Sequence, residues 1–281
     1  MPSDECPMKP LLKPLIALLL AGLAASPAIA GGQRVYLGSV AMDAPMEMVR
    51  RLTPLTHYLS EKTGLDVSFR ASHDMNMAVS DLGNDYTQIA YLTPVAYLDA
   101  HRKYNAKAVV APLVDGKSTF RLVVVVREDS AIRSMRDLKG KSFAFGDKSA
   151  ILQRAVVVGG GIKLEELEHY DFINYYDNIA KAVLNRDFDA GILKESAANE
   201  YRTKGLRIIH VSPPLPSYLF AVNARLPKET VARLRDALLA LKADTPEHRA
   251  ILEELDRSYD GFAEISDGNY DIVRKLVAPF Q

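Results

Sequence analysis

Three places in the chain set hydroxyls, phenols or charges against what reads as the start of a helix. They are Tyr91-Leu92-Thr93-Pro94, Asp147-Lys148-Ser149 and Tyr175-Tyr176-Asp177. The first N–H groups of a helix have no partner inside it, so a helix start that follows a strand is a ready place for an anion. Thr93 before Pro94 has the form of an N-cap with proline in the first turn. Its hydroxyl and the free N–H groups would face the same space. Tyr91 is either a buried strand residue or a donor into that space. Ser149 and Lys148 offer a hydroxyl and a positive charge at the second start. Asp147 opposes an anion on its face or caps the helix. Asp177 reads as the cap of the third helix and Tyr176 as a donor; in an alternating strand only one of Tyr175 and Tyr176 would face a ligand. Lys194, Met42 and Thr119 complete the candidates. Lys194 and Met42 follow predicted strands, where ligands of α/β sheets bind. Thr119 adjoins a candidate hinge.

Other chemistries find no footing. The six histidines (57, 73, 101, 169, 210 and 248) lack the i, i+4 spacing of a zinc-binding helix, so no metal site is expected. No GxSxG elbow or P-loop is present, and the glycines at 159–161 suit a helix end. No catalytic residue and no cofactor is therefore expected. Cys6 is the one cysteine. It precedes the apolar segment near the N-terminus, so thiol nucleophiles and thiolate metal sites are not expected beyond it.

These residues need strands and helices to hold them, and the pattern supplies both. Apolar runs at 35–40, 65–69, 88–92, 108–113, 120–126, 142–145, 172–175, 190–193, 206–211 and 218–222 read as strands. Between them lie helical patterns, among them 45–63 with Met46, Val49, Leu52, Leu55 and Leu59 at three- and four-residue steps, and 177–185. The run "FRLVVVV" is apolar on both faces and predicts a buried central strand. Repeated β-α alternation implies an α/β fold with mainly parallel sheets and helices on both faces. Two stretches read as crossings between lobes: Asp115 to Thr119, and the proline-rich Val211 to Pro216. They would make residues 31–120 and 212–281 one lobe and 121–211 an inserted second lobe.

Composition bounds the partners. Lys+Arg and Asp+Glu both number 35, for a formal net charge of zero. That balance gives no basic stripe for nucleic acid and no polybasic membrane surface. Residues 1–30 have the form of a secretory signal peptide: Lys9 and Lys13, an apolar core from Leu15 to Ala24, and Ala28-Ile29-Ala30 before the expected cleavage. The core is short of the ~20 apolar residues a membrane span needs. A soluble periplasmic monomer is the expectation.

Four stretches carry a family resemblance: "LTPLTHYLSEKTGLDVSF", "IAYLTPVAYLDA", "RSMRDLKGKSFAFGD" and "DNIAKAVLNRDFDAGIL". Over 33–240 the chain resembles the phosphonate/phosphite/phosphate-binding subunits of ABC importers, a branch of the type II periplasmic binding proteins. The resemblance implies a two-lobed fold with two hinge crossings and a small anionic ligand held between the lobes by tyrosines, hydroxyls and helix N-termini. It also implies delivery to a membrane ABC permease; presentation to a sensor kinase is the alternative. Two positions depart from the family pattern. A Ser-Thr-Ser run is replaced by Ser149-Ala150-Ile151, and Tyr176 stands where a histidine is usual.

Overall fold

The first long helix shows how local sequence sets the frame. Pro45 occupies its first turn, where the missing N–H costs nothing. Leu52, Leu55 and Leu59 fall on one buried face, and Gly64 ends the helix in the left-handed region at φ 66°. The structure is a computed structural model that describes residues 33–280, so the expected signal peptide lies outside the described residues. Among the described residues, no helix is long and apolar enough to cross a membrane.

In chain order the elements begin β1 (Arg34–Ser39), α1 (Pro45–Thr63), β2 (Asp66–Ala71), α2 (Met75–Gly83), β3 (Ile89–Leu92), α3 (Pro94–Tyr104) and β4 (Lys107–Leu113). They continue with β5 (Thr119–Phe120), β6 (Leu122–Arg127), β7 (Ser142–Phe145), α4 (Ile151–Gly159), β8 (His169–Phe172), α5 (Tyr176–Leu184), β9 (Ala190–Lys194), α6 (Glu195–Arg202) and β10 (Leu206–Val211). The chain closes with β11 (Leu215–Pro216), β12 (Leu219–Val222), α7 (Lys228–Ala240), α8 (Pro246–Leu255), β13 (Gly261–Glu264) and α9 (Asp271–Val277).

The strands sort into two large sheets. One has the order β13-β4-β12-β3-β1-β2, the other β10-β6-β9-β7-β8. Both repeat one arrangement. The first strand of the group lies between the second and third, and a reversed strand separates the third from the fourth. That reversed strand is β12 in the first sheet, antiparallel to β3 and β4, and β6 in the second, antiparallel to β9 and β10. Most strands therefore run one way, as β-α alternation predicts. The reversed strands, and the antiparallel edge strand β13, are what periodicity could not show. β6 and β12 each follow a crossing directly, so each enters its sheet without a helix to turn it parallel. The crossings meet in a ribbon: β5 pairs antiparallel with β11.

β6 explains the run of valines. Val124 and Val126 pack into the core that includes Phe143, Phe145 and Leu138, whereas Val123 and Val125 face Ile179, Val183 and Leu193. Successive strand residues point to opposite faces, so a strand covered on both sides must be apolar throughout. Each buried valine contributes about 1.5–3 kcal/mol.

Two expected boundaries need correction. β8 ends at Phe172, so Tyr175 and Tyr176 are not alternating strand residues. α5 starts at Tyr176 after an extended Tyr175, which puts Asp177 inside the first turn, and Asp177 makes no cap. It pairs instead with Lys181 at 2.5 Å, one turn on.

Candidate functional site

The carboxyl ends of β1, β3, β7 and β8 converge on one cavity of about 60 Å³. Val40, Ala41 and Met42 reach it from β1, and Thr93, Pro94 and Val95 from β3. Asp147, Ala150, Leu152 and Gln153 come from the β7–α4 turn, and Asn174, Tyr175 and Tyr176 from the turn before α5. Met75 of α2, Phe120 and Leu122 at the first crossing, and Tyr218 beyond the second complete the wall. Most of this surface is apolar. Asp147 is, among the described residues, its one charged side chain.

Helix starts and hydroxyls supply the polar groups. Thr93 caps α3, its Oγ1 accepting from the Ala96 N–H at 3.2 Å. Both Tyr175 and Tyr176 line the cavity, because a loop and a helix start replace the expected strand there. The Tyr176 hydroxyl meets that of Tyr218 at 3.0 Å. Burial raises both phenols above their usual range, so both stay protonated and able to donate. Gln153 is buried, and its Oε1 accepts from the Gly146 N–H at 2.8 Å. A Cβ on Gly146 would lie 2.8 Å from the Gln153 amide nitrogen and 3.0 Å from the Asn174 carbonyl oxygen, so a larger residue here would displace the amide.

Asp147 neither caps its own helix nor stands unpaired. Its Oδ2 accepts from the Met75 N–H at the start of α2, 3.1 Å away across the cleft, and its Oδ1 from the Ser149 N–H at 2.7 Å. The α2 start therefore already has a carboxylate at its positive end. Beside it, Asn76 Nδ2 donates to Ser149 Oγ at 2.9 Å.

Beyond the Tyr176–Tyr218 pair the cleft opens into a second, more polar hollow of about 300 Å³, which Met42, Tyr91, Tyr176, Asp177 and Lys194 also line. Lys194 and Asp256 meet there at 2.7 Å, each side chain 9% exposed. Asp256 Oδ2 also accepts from Ser196 Oγ at 2.7 Å, while Oδ1 accepts from the Ser258 N–H and Oγ at 2.9 and 2.5 Å. Lys194 Nζ donates to the Tyr259 hydroxyl at 2.8 Å and lies 4.6 Å from the centre of that ring. The Tyr259 hydroxyl in turn meets that of Tyr91 at 2.5 Å. Burial raises the carboxyl of Asp256, but the Lys194 charge and these hydrogen bonds outweigh it and hold the group down at about 2. Burial likewise pulls Lys194 down, and the Asp256 carboxylate more than offsets it, so the ammonium stays charged.

The sequence-derived candidates thus divide. Met42, Thr93 and Tyr176 come together on the cavity wall. Tyr91 is buried and spends its hydroxyl on Tyr259. Lys194 is neutralised by Asp256. Ser149 stands off the cavity wall against Asn76, and Lys148 is exposed and lines neither the cavity nor the polar hollow. Thr119 sits in β5 opposite Pro216 and lines a separate hollow with Lys117 and Arg121. Gln153, Tyr218, Asp256 and Tyr259 escaped the sequence reading. Gln153 left a trace, as a polar residue on the apolar face of α4; the others left none.

Residues 37–270 match the family described as "ABC transporter, phosphonate, periplasmic substrate-binding protein". The Phosphonates-binding periplasmic protein of Escherichia coli is 23% identical over 247 residues, covering 82% of this chain and 73% of that protein. A Prochlorococcus marinus protein in complex with methylphosphonate superposes with a TM-score of 0.79 at 16% identity, over 88% of this chain and 98% of that one. A binding component of a phosphonate ABC transporter from Pseudomonas aeruginosa gives 0.77 at 17% identity, over 87% and 85% of the two chains.

Proposed function

Because this chain belongs to the phosphonate-type periplasmic substrate-binding proteins of ABC transporters, which are binding components and not enzymes, we propose that it closes on a small phosphonate-, phosphite- or phosphate-like oxyanion and delivers it to an ABC permease. Residues 1–30 act as the signal peptide in this reading, with cleavage after Ala30. The lobes, 33–120 with 212–280 and 121–211, turn about the β5–β11 ribbon.

The observation that carries the reading is the cavity at four strand ends, with walls drawn from both sheets. Ligand contacts on both sides stabilise a closed form over an open one, which is how a binding protein couples capture to hinge motion. Thr93 and the α3 start would meet the ligand from one side, with Tyr176, Tyr218 and Gln153 completing a set of neutral donors. The apolar remainder suits a compact organic substituent. Of the replaced hydroxyl run, Ser149-Ala150-Ile151, Ala150 lines this wall.

Thermal unfolding in the presence of methylphosphonate, phosphite, phosphate and methanesulfonate tests the proposal. A true ligand at a hundredfold excess over its Kd stabilises the fold by ~2.7 kcal/mol. No shift with any of the four would remove the oxyanion reading.

A further inference from the structure

Lys194 ends β9 in the five-stranded sheet, and Asp256 follows α8, which packs on α1 beside the six-stranded sheet. Their contact therefore joins the two lobes. It has company from the same two sides: Ser196 to Asp256, Lys194 to Tyr259, Tyr176 to Tyr218, Asp147 to the Met75 N–H, and Asn76 to Ser149. The charges satisfy one another, and the carboxylate has four donors.

We infer that Lys194 and Asp256 latch the lobes so that closure is favoured before ligand arrives, and that Lys194 is a positioning residue for closure instead of a donor to the bound anion. The inference rests on the binding-by-closure reading in taking hinge motion as the working motion. A lysine meant for the ligand would be left without a counter-charge until the ligand arrived, at a large desolvation cost in a closed cleft. Here the counter-charge is built in, so closing needs no anion. Opening separates Lys194 and Ser196 from Asp256 and returns both charges to water. The closed population is thus raised in advance, and the ligand has less of the closing to drive. The apparent Kd rises by the factor by which a variant lowers the closed fraction.

Small-angle scattering of the protein, stripped of ligand by unfolding and refolding, tests this without any ligand. The free wild-type protein is expected to be nearly as compact as with methylphosphonate bound, and methylphosphonate should compact it less than it compacts Lys194→Met. Lys194→Met and Asp256→Asn should each enlarge the radius of gyration in the free state. Should either fail to fold, Tyr259→Phe keeps the ring and removes one partner of Lys194, and a smaller shift in the same direction is expected. A free wild-type protein that is already open, or a Lys194→Met variant as compact as wild type, overturns the latch. If methylphosphonate binds nowhere while the free-state difference between wild type and variant persists, the ligand reading fails and the latch stands.

Discussion

Between Thr93 and Tyr176 the cleft is a small, mostly apolar cavity whose polar groups are neutral donors and one acid. Past the Tyr176–Tyr218 pair it becomes a dense polar network around a buried ion pair. The lysine of this cleft lies on the second side and is already matched. The contrast separates two tasks that a single charged site would merge. One region can recognise a ligand through hydroxyls, an amide and a helix start. The other sets how readily the lobes meet. A buried pair is weak support for stability, since its desolvation offsets its attraction, but it holds the two surfaces that carry it in one register.

The strongest way to break the comparison is to remove one charge. A buried ion deprived of its partner costs about 3–5 kcal/mol where it stays dry. The lobes can part and wet Lys194, so Asp256→Ala is expected to lose ~3 kcal/mol in urea unfolding. The double variant Lys194→Met/Asp256→Leu should recover most of that loss. An equal loss in the double variant would show that shape and not charge holds this side together.

Acid probes the same pair more gently. The folded carboxyl of Asp256 sits at about 2, below its ordinary 3.8. A depressed carboxyl contributes stability above its unfolded value and loses it as pH falls through the folded one. Its contribution of ~2 kcal/mol should therefore be complete above about pH 5 and vanish between about pH 4 and 2. Asp256→Asn should flatten the stability profile in that window; an unchanged profile would mean that other carboxylates dominate it.

On the cavity side the expected effects are smaller and fall on binding. Tyr176→Phe should weaken a bound oxyanion by about 1–3 kcal/mol in calorimetry, because the Tyr218 hydroxyl keeps its place while one donor is lost. Lys148→Ala, at an exposed position, should leave affinity unchanged. The reverse order of effects would move the anion out of the cavity and toward the surface turn.

How legible this was depended on the reach of each interaction. Thr93-Pro94 signals its cap within four residues, and Pro45 and Gly64 bracket α1 in the same local way. The both-faces burial of β6 was readable because four valines in a row suit a strand covered on both sides. Asp177 misled, since the cap position lies two residues earlier, at Tyr175, a shift that composition does not show. Asp147 misled more instructively: its partner at the start of α2 is 72 residues away. Lys194 and Asp256 are 62 apart, and nothing near Asp256 marks it as more than a helix-end acid.

From the sequence alone came the alternation of strands and helices, the Thr93 cap, the two crossings and the family likeness. All of these rest on neighbours in the chain or on motifs a few residues long. Only the tertiary structure decided which strands run backwards, which donors share the cavity, and that Lys194 is a matched charge. Charge in a cleft is a property of everything that faces it. The carboxylate that faces Lys194 arrives from the other lobe, brought there by the fold and by no local pattern.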